Sequence, residues 1–393
     1  MLKKRYLHSP VVSDLKDKMV FIGGPRQVGK TTLANQIGKA DFKKFSYLNW
    51  DSREDRKKII AGSFEADSEL LIFDEIHKYK QWKNYLKGIY DKNKEKFAIL
   101  ATGSARLDVY RRGGDSLMGR YHYFRLHPFS LREAITEKKP TVKAMKELAF
   151  PEPGKESLSA FSDLFHFGGF PEPFIKKNEK TLRRFHNERI ERLIKEDIRD
   201  LEQLKDLSAL QVLVELLPQK VGSLLSLNSL KEDLEATHKT ISLWMNVLER
   251  FYYHFRIYPY AASSIRSLRK EPKMYLWDWS ELSDEGIKFE NMIASHFLKL
   301  VHFLRDTEGW KAELFFLRDV DKRETDFLVT IDKKPWLAAE AKLSGNRHSP
   351  SLEYFSRKLK IPFSYQVVKN EGIDIWKGGV RIISAQKFLA GLV

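Results

Sequence analysis

The chain has 393 residues, 42% of them hydrophobic and 31% charged, which is too long for one small module and too apolar for a disordered chain. It contains no cysteine, which excludes disulfides, iron–sulfur clusters, thiolate zinc sites and cysteine nucleophiles, so any catalytic metal must be held by oxygen or imidazole. The formal net charge of +16 favours a polyanionic partner, nucleic acid first of all, with solubility alone as the alternative reason for the charge.

The first 130 residues predict an α/β fold with a parallel sheet. Short apolar runs rich in branched and aromatic residues alternate with polar stretches that suit helices, as in βαβ units. The predicted strands span residues 19–23, 45–51, 70–74, 97–102 and 121–126.

No part of the sequence predicts a membrane span. An apolar run of about 18 residues, which would cross a bilayer, does not occur. Residues 1–17 also lack the apolar stretch of a signal peptide. We therefore expect a cytoplasmic protein with no membrane partner.

The middle of the chain predicts helices. Residues 181–217 contain neither glycine nor proline and are rich in charge and leucine, which indicates long helices. Residues 227–234 and 239–250 are two short amphipathic segments with helix-turn-helix spacing, and Thr237 can cap the second one.

The remaining sequence predicts a hairpin and a second α/β region. Residues 252–260 and 273–279 alternate aromatic and polar side chains, which suits a hairpin wing. From Glu290 onward the pattern reads helix, strand, strand, strand, helix, strand. The expected domains are 1–130 (P-loop core), 131–220 (helical lid or connector), 221–280 (winged helix) and 281–393 (C-terminal α/β domain).

Residues 24–31 read GPRQVGKT and match the phosphate-binding pattern G-x-x-x-x-G-K-[ST] directly between a predicted strand and a helix. Glycines let successive backbone N–H groups converge on phosphates, and the helix N-terminus adds a positive dipole. Lys30 is expected to reach the β- and γ-phosphates of ATP, and the Thr31 hydroxyl to ligate Mg²⁺. The predicted nucleotide-binding residues are Gly24, Pro25, Arg26, Gln27, Val28, Gly29, Lys30, Thr31 and Thr32.

Two carboxylates end the buried strand predicted at residues 70–74. Asp74 is expected to complete the Mg²⁺ shell, and Glu75 to orient and polarise the attacking water. The alternative is a strand that ends in acids facing solvent. The strand at residues 97–102 leads to Ser104, which is a better candidate than Thr102 for holding the lytic water against the γ-phosphate.

These segments together resemble the AAA+ ATPases of archaea and bacteria. The resemblance rests on residues 24–31, 70–75 and 99–104, on Gly119 and Arg120, and on the LHPF sequence at 126–129. It implies an ATPase that needs ATP and Mg²⁺ and that assembles with itself as a hexamer or another ring. Arg120 stands where an arginine would complete the site of a neighbouring subunit. Its competitors are Arg106, Arg111 and Arg112, and the alternative is a basic residue in a surface loop.

More narrowly, the chain resembles the branch in which the AAA+ module precedes a C-terminal domain of long-unassigned function. That likeness rests on GGFP at 168–171, SLNSLKEDL at 226–234, KMYLWDW at 273–279 and FEN at 289–291. Residues 224–260 resemble a winged helix-turn-helix, whose second helix enters the major groove of DNA. A structural or protein-docking role is the alternative.

The C-terminal third resembles a PD-(D/E)xK nuclease-like fold, also called restriction-endonuclease-like. Asp326 is followed after a spacer by Glu340 and Lys342, and two neighbouring strands would place them around one Mg²⁺. Asp326 and Glu340 would bind the metal, and Lys342 would either lower the pKa of the attacking water or stabilise the developing charge. Glu290 and Gln366 match accessory positions. The residues before Asp326 depart from the Pro-Asp form, so both a cleaving nuclease and a fold used for DNA binding or assembly remain open.

The leading hypothesis is an oligomeric, Mg²⁺-dependent ATPase that couples ATP hydrolysis to binding or moving duplex or branched DNA. Two alternatives remain: a nucleotide-dependent switch that docks protein partners, and an ATP-gated, Mg²⁺-dependent nuclease.

Overall fold

The computed structural model describes residues 4–103, 117–198, 207–261, 270–345 and 347–393. The chain forms two compact units, residues 1–127 and residues 128–393. Within the described residues, no helix is long and apolar enough to cross a membrane. The division into four domains stays a prediction.

The first unit is built on a five-stranded sheet in which every neighbouring pair is parallel. Strands β1 and β3 are buried along their whole length, as expected for a parallel sheet covered on both faces. The five strands confirm the sequence prediction to within two residues at each end. They are β1 (Met19–Gly23), β2 (Phe45–Asn49), β3 (Leu70–Asp74), β4 (Ala98–Thr102) and β5 (Tyr121–Arg125).

Four described helices accompany this sheet: α1 (His8–Asp14), α2 (Lys30–Asp41), α3 (Arg53–Ala61) and α4 (Trp82–Asn93). The strand order is β2-β3-β4-β1-β5, so the chain leaves β1 toward one side of the sheet and later returns to its other side. In parallel sheets such a reversal opens a crevice at the carboxyl ends of the strands, where ligands bind. The loop after β1 and the acids after β3 lie at that edge.

The second unit begins with helices. Their bounds are α5 (Leu131–Ile135), α6 (Lys155–Phe167), α7 (Pro171–Lys176), α8 (Glu179–Arg192), α9 (Leu207–Leu216), α10 (Leu227–Asp233) and α11 (His238–Arg250). The α10–α11 pair has the predicted spacing. The Thr237 hydroxyl accepts a hydrogen bond of 3.1 Å from the N–H of Thr240, which confirms the predicted N-cap.

The rest of the second unit is a mixed eight-stranded sheet in the order β12-β13-β11-β10-β9-β8-β6-β7. Its strands are β6 (His254–Pro259), β7 (Lys273–Leu276), β8 (Ala312–Arg318), β9 (Glu324–Ile331), β10 (Lys334–Lys342), β11 (Phe363–Val368), β12 (Asp374–Lys377) and β13 (Val380–Ser384). Its helices are α12 (Glu285–Glu308), α13 (Pro350–Leu359) and α14 (Ala385–Ala390). The elements from α12 to β11 follow the predicted helix, strand, strand, strand, helix, strand order.

The predicted hairpin is present, but it does not stand apart from the C-terminal strands. β6 and β7 pair antiparallel, and β6 also pairs parallel with β8 through Tyr258 and Phe315. The hairpin that follows the helix pair is therefore an edge of the same sheet. Lys273, the first residue of β7, therefore belongs to the same sheet as β9 and β10, which carry the C-terminal acids.

Candidate functional site

The loop after β1 has the backbone conformation that its glycines allow. Gly24 has φ of 140° and Gly29 has φ of 96°, a region that L side chains rarely adopt. A Cβ on Gly24 would also collide with the carbonyl oxygen of Leu126. The loop can therefore close tightly over β1 and turn directly into α2, whose N-terminus faces the same crevice.

Lys30 is the first residue of α2, and its side chain is buried. Its Nζ donates hydrogen bonds to the carbonyl oxygens of Gly24, at 3.1 Å, and Pro25, at 2.7 Å. These bonds hold the ammonium over the loop whose N–H groups would bind phosphate. The contact of Lys30 with the phosphates stays a prediction.

Two residues of the N-terminal segment that the sequence did not single out bond to the backbone, Arg5 at this loop and at His127, and Tyr6 at the end of β5. The buried Arg5 donates from one guanidinium nitrogen to the Val28 carbonyl oxygen at 2.9 Å and from another to the His127 carbonyl oxygen. Tyr6 donates to the Arg125 carbonyl oxygen at 2.7 Å. Neither residue belongs to a short motif, so no local sequence signal marks them.

Asp74 lies at the carboxyl end of β3 and is held by three hydroxyl groups. Thr31 and Tyr47 each donate to its Oδ2 at 2.7 Å, and Thr102 donates to its Oδ1. Burial and the bond to Asp74 raise the pKa of Tyr47, so Tyr47 remains a donor. The adjoining oxygens of Thr31 and Asp74 are the hard ligands that Mg²⁺ prefers. This donor set fits the predicted Mg²⁺ of an ATP complex.

Glu75 follows Asp74 in the left-handed backbone region, with φ of 55°, which is uncommon for a residue other than glycine. Its N–H donates to the Thr102 carbonyl oxygen at 3.0 Å, and its Oε2 lies 3.4 Å from His77 Nε2. Burial raises the pKa of Glu75 and Asp74 adds to the increase, although the Lys30 charge opposes it. A carboxylate with a raised pKa is a better proton acceptor at neutral pH.

Thr102, the lesser candidate for holding the lytic water, is bonded to Asp74. Ser104, the better candidate, lies outside the described residues, and so do Arg106, Arg111 and Arg112.

Arg120 precedes β5, at the amino edge of the parallel sheet, whereas the phosphate loop follows β1 at the opposite edge. Its guanidinium makes a bidentate ion pair with Asp91 of α4, with N–O distances of 2.7 and 3.1 Å. Five residues of strand rise by about 3.3 Å each, so Arg120 lies too far away to serve the phosphate site of its own chain.

The structure brings together three of the predicted C-terminal acids. Asp326 is on β9, Glu340 on the neighbouring β10, and Glu290 on α12. The N–H of Ala341 donates to Asp326 Oδ2 at 3.0 Å, which ties the two strands together at the acids. Lys342 Nζ lies 2.7 Å from Glu340 Oε1.

Gln366 is opposite Glu340 in the β10–β11 pairing, but its amide is engaged elsewhere. Its oxygen accepts from the Ser349 N–H at 2.8 Å, and its nitrogen donates to the Arg347 carbonyl oxygen at 3.0 Å. These bonds make Gln366 a support for the loop before α13.

Lys273 and Glu324, which the sequence did not place in this site, also belong to this cluster. Lys273 Nζ lies 2.7 Å from Glu324 Oε1 and 3.4 Å from oxygens of both Glu290 and Asp326. The Lys273 side chain is 4% exposed, so it is fixed rather than mobile in solvent. Burial alone would lower the pKa of Lys273, but the carboxylates of Glu290, Asp326 and Glu324 outweigh burial and raise it.

One ammonium cannot balance all of these carboxylates. Burial, reinforced by Asp326, raises the pKa of Glu290 to about 7, although Lys273 and the Tyr275 hydroxyl, 2.6 Å away, oppose the shift. Burial and Asp326 likewise raise the pKa of Glu340, against the effect of Lys342. Within the described residues, no group of three or more histidines and carboxylates has the arrangement of a metal site. The Lys273 ammonium, which contacts Glu290, Glu324 and Asp326, lies where a metal would have to bind, so these acids do not fit a bound Mg²⁺ as they stand.

The α10–α11 pair has exposed basic side chains at both ends of its second helix. Lys239 and Arg250 on α11 are exposed. Asn246, another side chain on α11, accepts a 2.7 Å hydrogen bond from Arg256 and is held within the unit.

Family models match three successive segments of the chain. A model described as an AAA domain matches residues 16–135, and two domains of unknown function, DUF8612 and DUF4143, match residues 158–283 and 285–388. The AAA domain implies that the first unit binds ATP with Mg²⁺ and is an ATPase. The expectation of an AAA-type ATPase followed by a C-terminal domain of unassigned function is confirmed at this level.

Two uncharacterized proteins of Methanocaldococcus jannaschii are similar to the chain. MJ1544 is 24% identical over 369 residues, which cover 88% of this chain and 80% of that protein. MJ1637 is 24% identical over 291 residues, covering 66% of this chain and 60% of that protein. The uncharacterized protein Rv2008c of Mycobacterium tuberculosis is 22% identical over 264 residues, and this chain spans 54% of its length. The chain is thus homologous to archaeal and bacterial proteins.

Among solved structures, the RuvB Holliday junction branch migration motor of Thermotoga maritima has 17% identity and a TM-score of 0.30, covering 63% of this chain and 87% of that chain. The Hef helicase domain of Pyrococcus furiosus has 12% identity and a TM-score of 0.20, covering 94% of this chain and 91% of that chain.

Proposed function

We propose that the chain is a Mg²⁺-dependent AAA+ ATPase that works as an oligomer and couples hydrolysis to binding or moving DNA. The observation that carries the ATPase is the contact of Thr31 with Asp74 beside Lys30 and Glu75. These side chains come from two distant parts of the sequence and meet at the edge of the sheet where nucleotides bind.

Each residue has a role that its position allows. Lys30 neutralises charge on the β- and γ-phosphates, and Thr31 with Asp74 would hold Mg²⁺, which supplies further neutralisation of the phosphate oxygens. Glu75 accepts a proton from the water that attacks the γ-phosphorus, so that ADP and phosphate are released. The raised pKa of Glu75 suits this role.

The position of Arg120 supports the proposal of an oligomer. Because Arg120 lies at the amino edge of the sheet, we propose that it completes the phosphate site of a neighbouring subunit, exchanging Asp91 for phosphate oxygens. Arg120→Ala subunits and Lys30→Ala subunits should each be inactive alone and partly active when mixed. A mixture that stays inactive would reject shared sites.

DNA is proposed as the partner because the chain carries a net charge of +16 and because α10 and α11 have helix-turn-helix spacing. On this proposal, residues 131–220 form the lid, residues 221–280 the winged helix and residues 281–393 the nuclease-like domain. Lys239, exposed near the start of α11, would contact phosphate rather than read bases.

The test is the rate of ATP hydrolysis with and without duplex, forked, four-way and single-stranded DNA, with Glu75→Gln as the inactive control. Stimulation by one structure, reduced by Lys239→Glu but not by Lys155→Glu on α6, would support coupling through α11. Hydrolysis that no DNA alters would reject DNA coupling and favour the nucleotide-dependent switch that docks protein partners.

A further inference from the structure

The acids of the C-terminal site surround a cation that belongs to the chain. We propose that Lys273 takes the position of the metal in this nuclease-like site, so the domain neither binds Mg²⁺ there nor cleaves DNA. Instead, the lysine and its acids fasten the hairpin to the nuclease-like core. This inference is independent of the proposed ATPase.

The position of the Lys273 ammonium supports this proposal. Nζ of Lys273 contacts one acid from α12, Glu290, and two from β9, Glu324 and Asp326, at distances of 2.7 to 3.4 Å. The side chain crosses over the ring of Phe316 on β8, with Nζ 5.8 Å from the ring centre. The ammonium therefore lies between the helix and the strand whose acids would have to converge on a metal.

The acids of the cluster also have basic partners other than Lys273. Glu324 Oε2 also lies 2.5 Å from a guanidinium nitrogen of Arg318, and Glu340 is paired with Lys342 at 2.7 Å. Each of the four acids thus contacts a basic side chain of this chain, although three basic residues serve four acids. A divalent cation would have to displace the Lys273 ammonium, which lies within 3.4 Å of three of these acids.

Lys273 comes from a different segment of the chain than the acids it contacts. It is the first residue of β7, on the hairpin that follows the helix pair, and it lies 53 residues before Asp326 in the sequence. A buried ion cluster of this kind joins the segments that supply its charges, and removing one member leaves the other charges unpaired. The hairpin, α12 and β9 are therefore held in one arrangement by the same ammonium that excludes the metal.

The experiment measures Mn²⁺ binding to the full chain without nucleotide, by electron paramagnetic resonance. Wild type and Asp326→Asn should bind Mn²⁺ equally, because the lysine already occupies the site. Lys273→Met should gain one Mn²⁺ per chain, and Lys273→Met combined with Asp326→Asn should lose it again. The matched control is Lys342→Met, which removes a lysine from the same cluster but leaves Lys273 in place and should gain no Mn²⁺.

A wild-type Mn²⁺ site that disappears in Asp326→Asn would overturn the proposal, as would a folded Lys273→Met that gains none. If Lys273→Met fails to fold, the comparison of wild type with Asp326→Asn decides alone. A plasmid-cleavage assay with Mg²⁺ or Mn²⁺, with and without ATP, gives a second readout. We expect no cleavage by wild type, and cleavage that Asp326→Asn abolishes would contradict the inference.

Discussion

The two acidic sites of this chain use the same residue types in different ways. At the phosphate loop, Lys30 bonds to the carbonyl oxygens of Gly24 and Pro25, while Asp74 is held by hydroxyl groups. In the C-terminal site, Lys273 bonds directly to the carboxylates. Acids and a lysine at strand ends therefore do not by themselves define a metal site. Acids remain available to a metal when the lysine bonds to backbone carbonyl groups, and they do not when it bonds to the acids themselves.

The first prediction tests the phosphate loop and has the largest expected effect. Glu75→Gln should lower the rate of ATP hydrolysis by about 100-fold or more, because general-base catalysis contributes roughly 10²–10⁴. Lys30→Ala should lower the rate and also weaken ATP binding, whereas Glu75→Gln should leave binding intact. Steady-state hydrolysis and fluorescent-nucleotide binding measure the two effects.

Lys39→Ala serves as the control, because Lys39 is an exposed residue near the other end of α2. It should leave both the rate and the affinity unchanged. An active Glu75→Gln enzyme would show that another group activates the water.

The second prediction tests the Lys273 cluster through stability. Lys273→Met should lower the free energy of unfolding at neutral pH by about 3–5 kcal/mol, the typical effect of breaking a buried ion pair. The loss should shrink as the pH falls, since protonation relieves the repulsion among the remaining acids. Urea unfolding at several pH values measures this, and a loss that does not depend on pH would contradict the role of charge.

The two sites also differ in how far the sequence could predict them. The phosphate loop is a local pattern, because Lys30 bonds to carbonyl groups five and six residues earlier. The acids at the end of β3 are also easy to predict, because they come directly after a run of apolar residues. Lys273 meets Asp326 across 53 residues, and Arg5 meets His127 across 122. Short-range periodicity predicts strands and helices, but it carries no information about which distant side chains meet.

The pairing of the hairpin strands was likewise predictable only in part. Alternation predicted β6 and β7 and their pairing with each other, because hairpin partners are close in sequence. It could not predict that β6 would also pair with β8, since pairing between strands of distant segments depends on the whole sheet. That pairing makes the hairpin that carries Lys273 part of the sheet that also contains β9.

The third prediction concerns the titration of Glu290. Burial and Asp326 raise its pKa from an ordinary value of 4.5 to about 7, so the folded state binds this proton more tightly than the unfolded state does. The stabilisation it provides is full below pH 4.5 and is lost as the pH rises toward 7, with a slope of at most about 1.4 kcal/mol per pH unit. Glu290→Gln should remove that part of the pH dependence.

Urea unfolding of wild type and Glu290→Gln between about pH 4.5 and 8 provides the measurement. Glu285→Gln is a suitable control, because Glu285 is an exposed acid on the same helix, and its pH dependence should follow wild type. Identical slopes for wild type and Glu290→Gln would show that Glu290 titrates normally.

The fourth prediction has the smallest effect on stability and concerns a third basic residue, Arg120. Its ion pair with Asp91 is exposed, with 32% and 44% of the two side chains accessible, and exposed pairs contribute little because water and salt screen them. Asp91→Asn should therefore leave the urea midpoint unchanged, whereas Lys273→Met should lower it strongly. An exposed partner can be exchanged at little cost, so Arg120 remains available to the phosphate site of a neighbour, while burial fixes Lys273 in its own chain. A clear drop in midpoint for Asp91→Asn would mean that Arg120 is also locked, and would argue against its proposed role in trans.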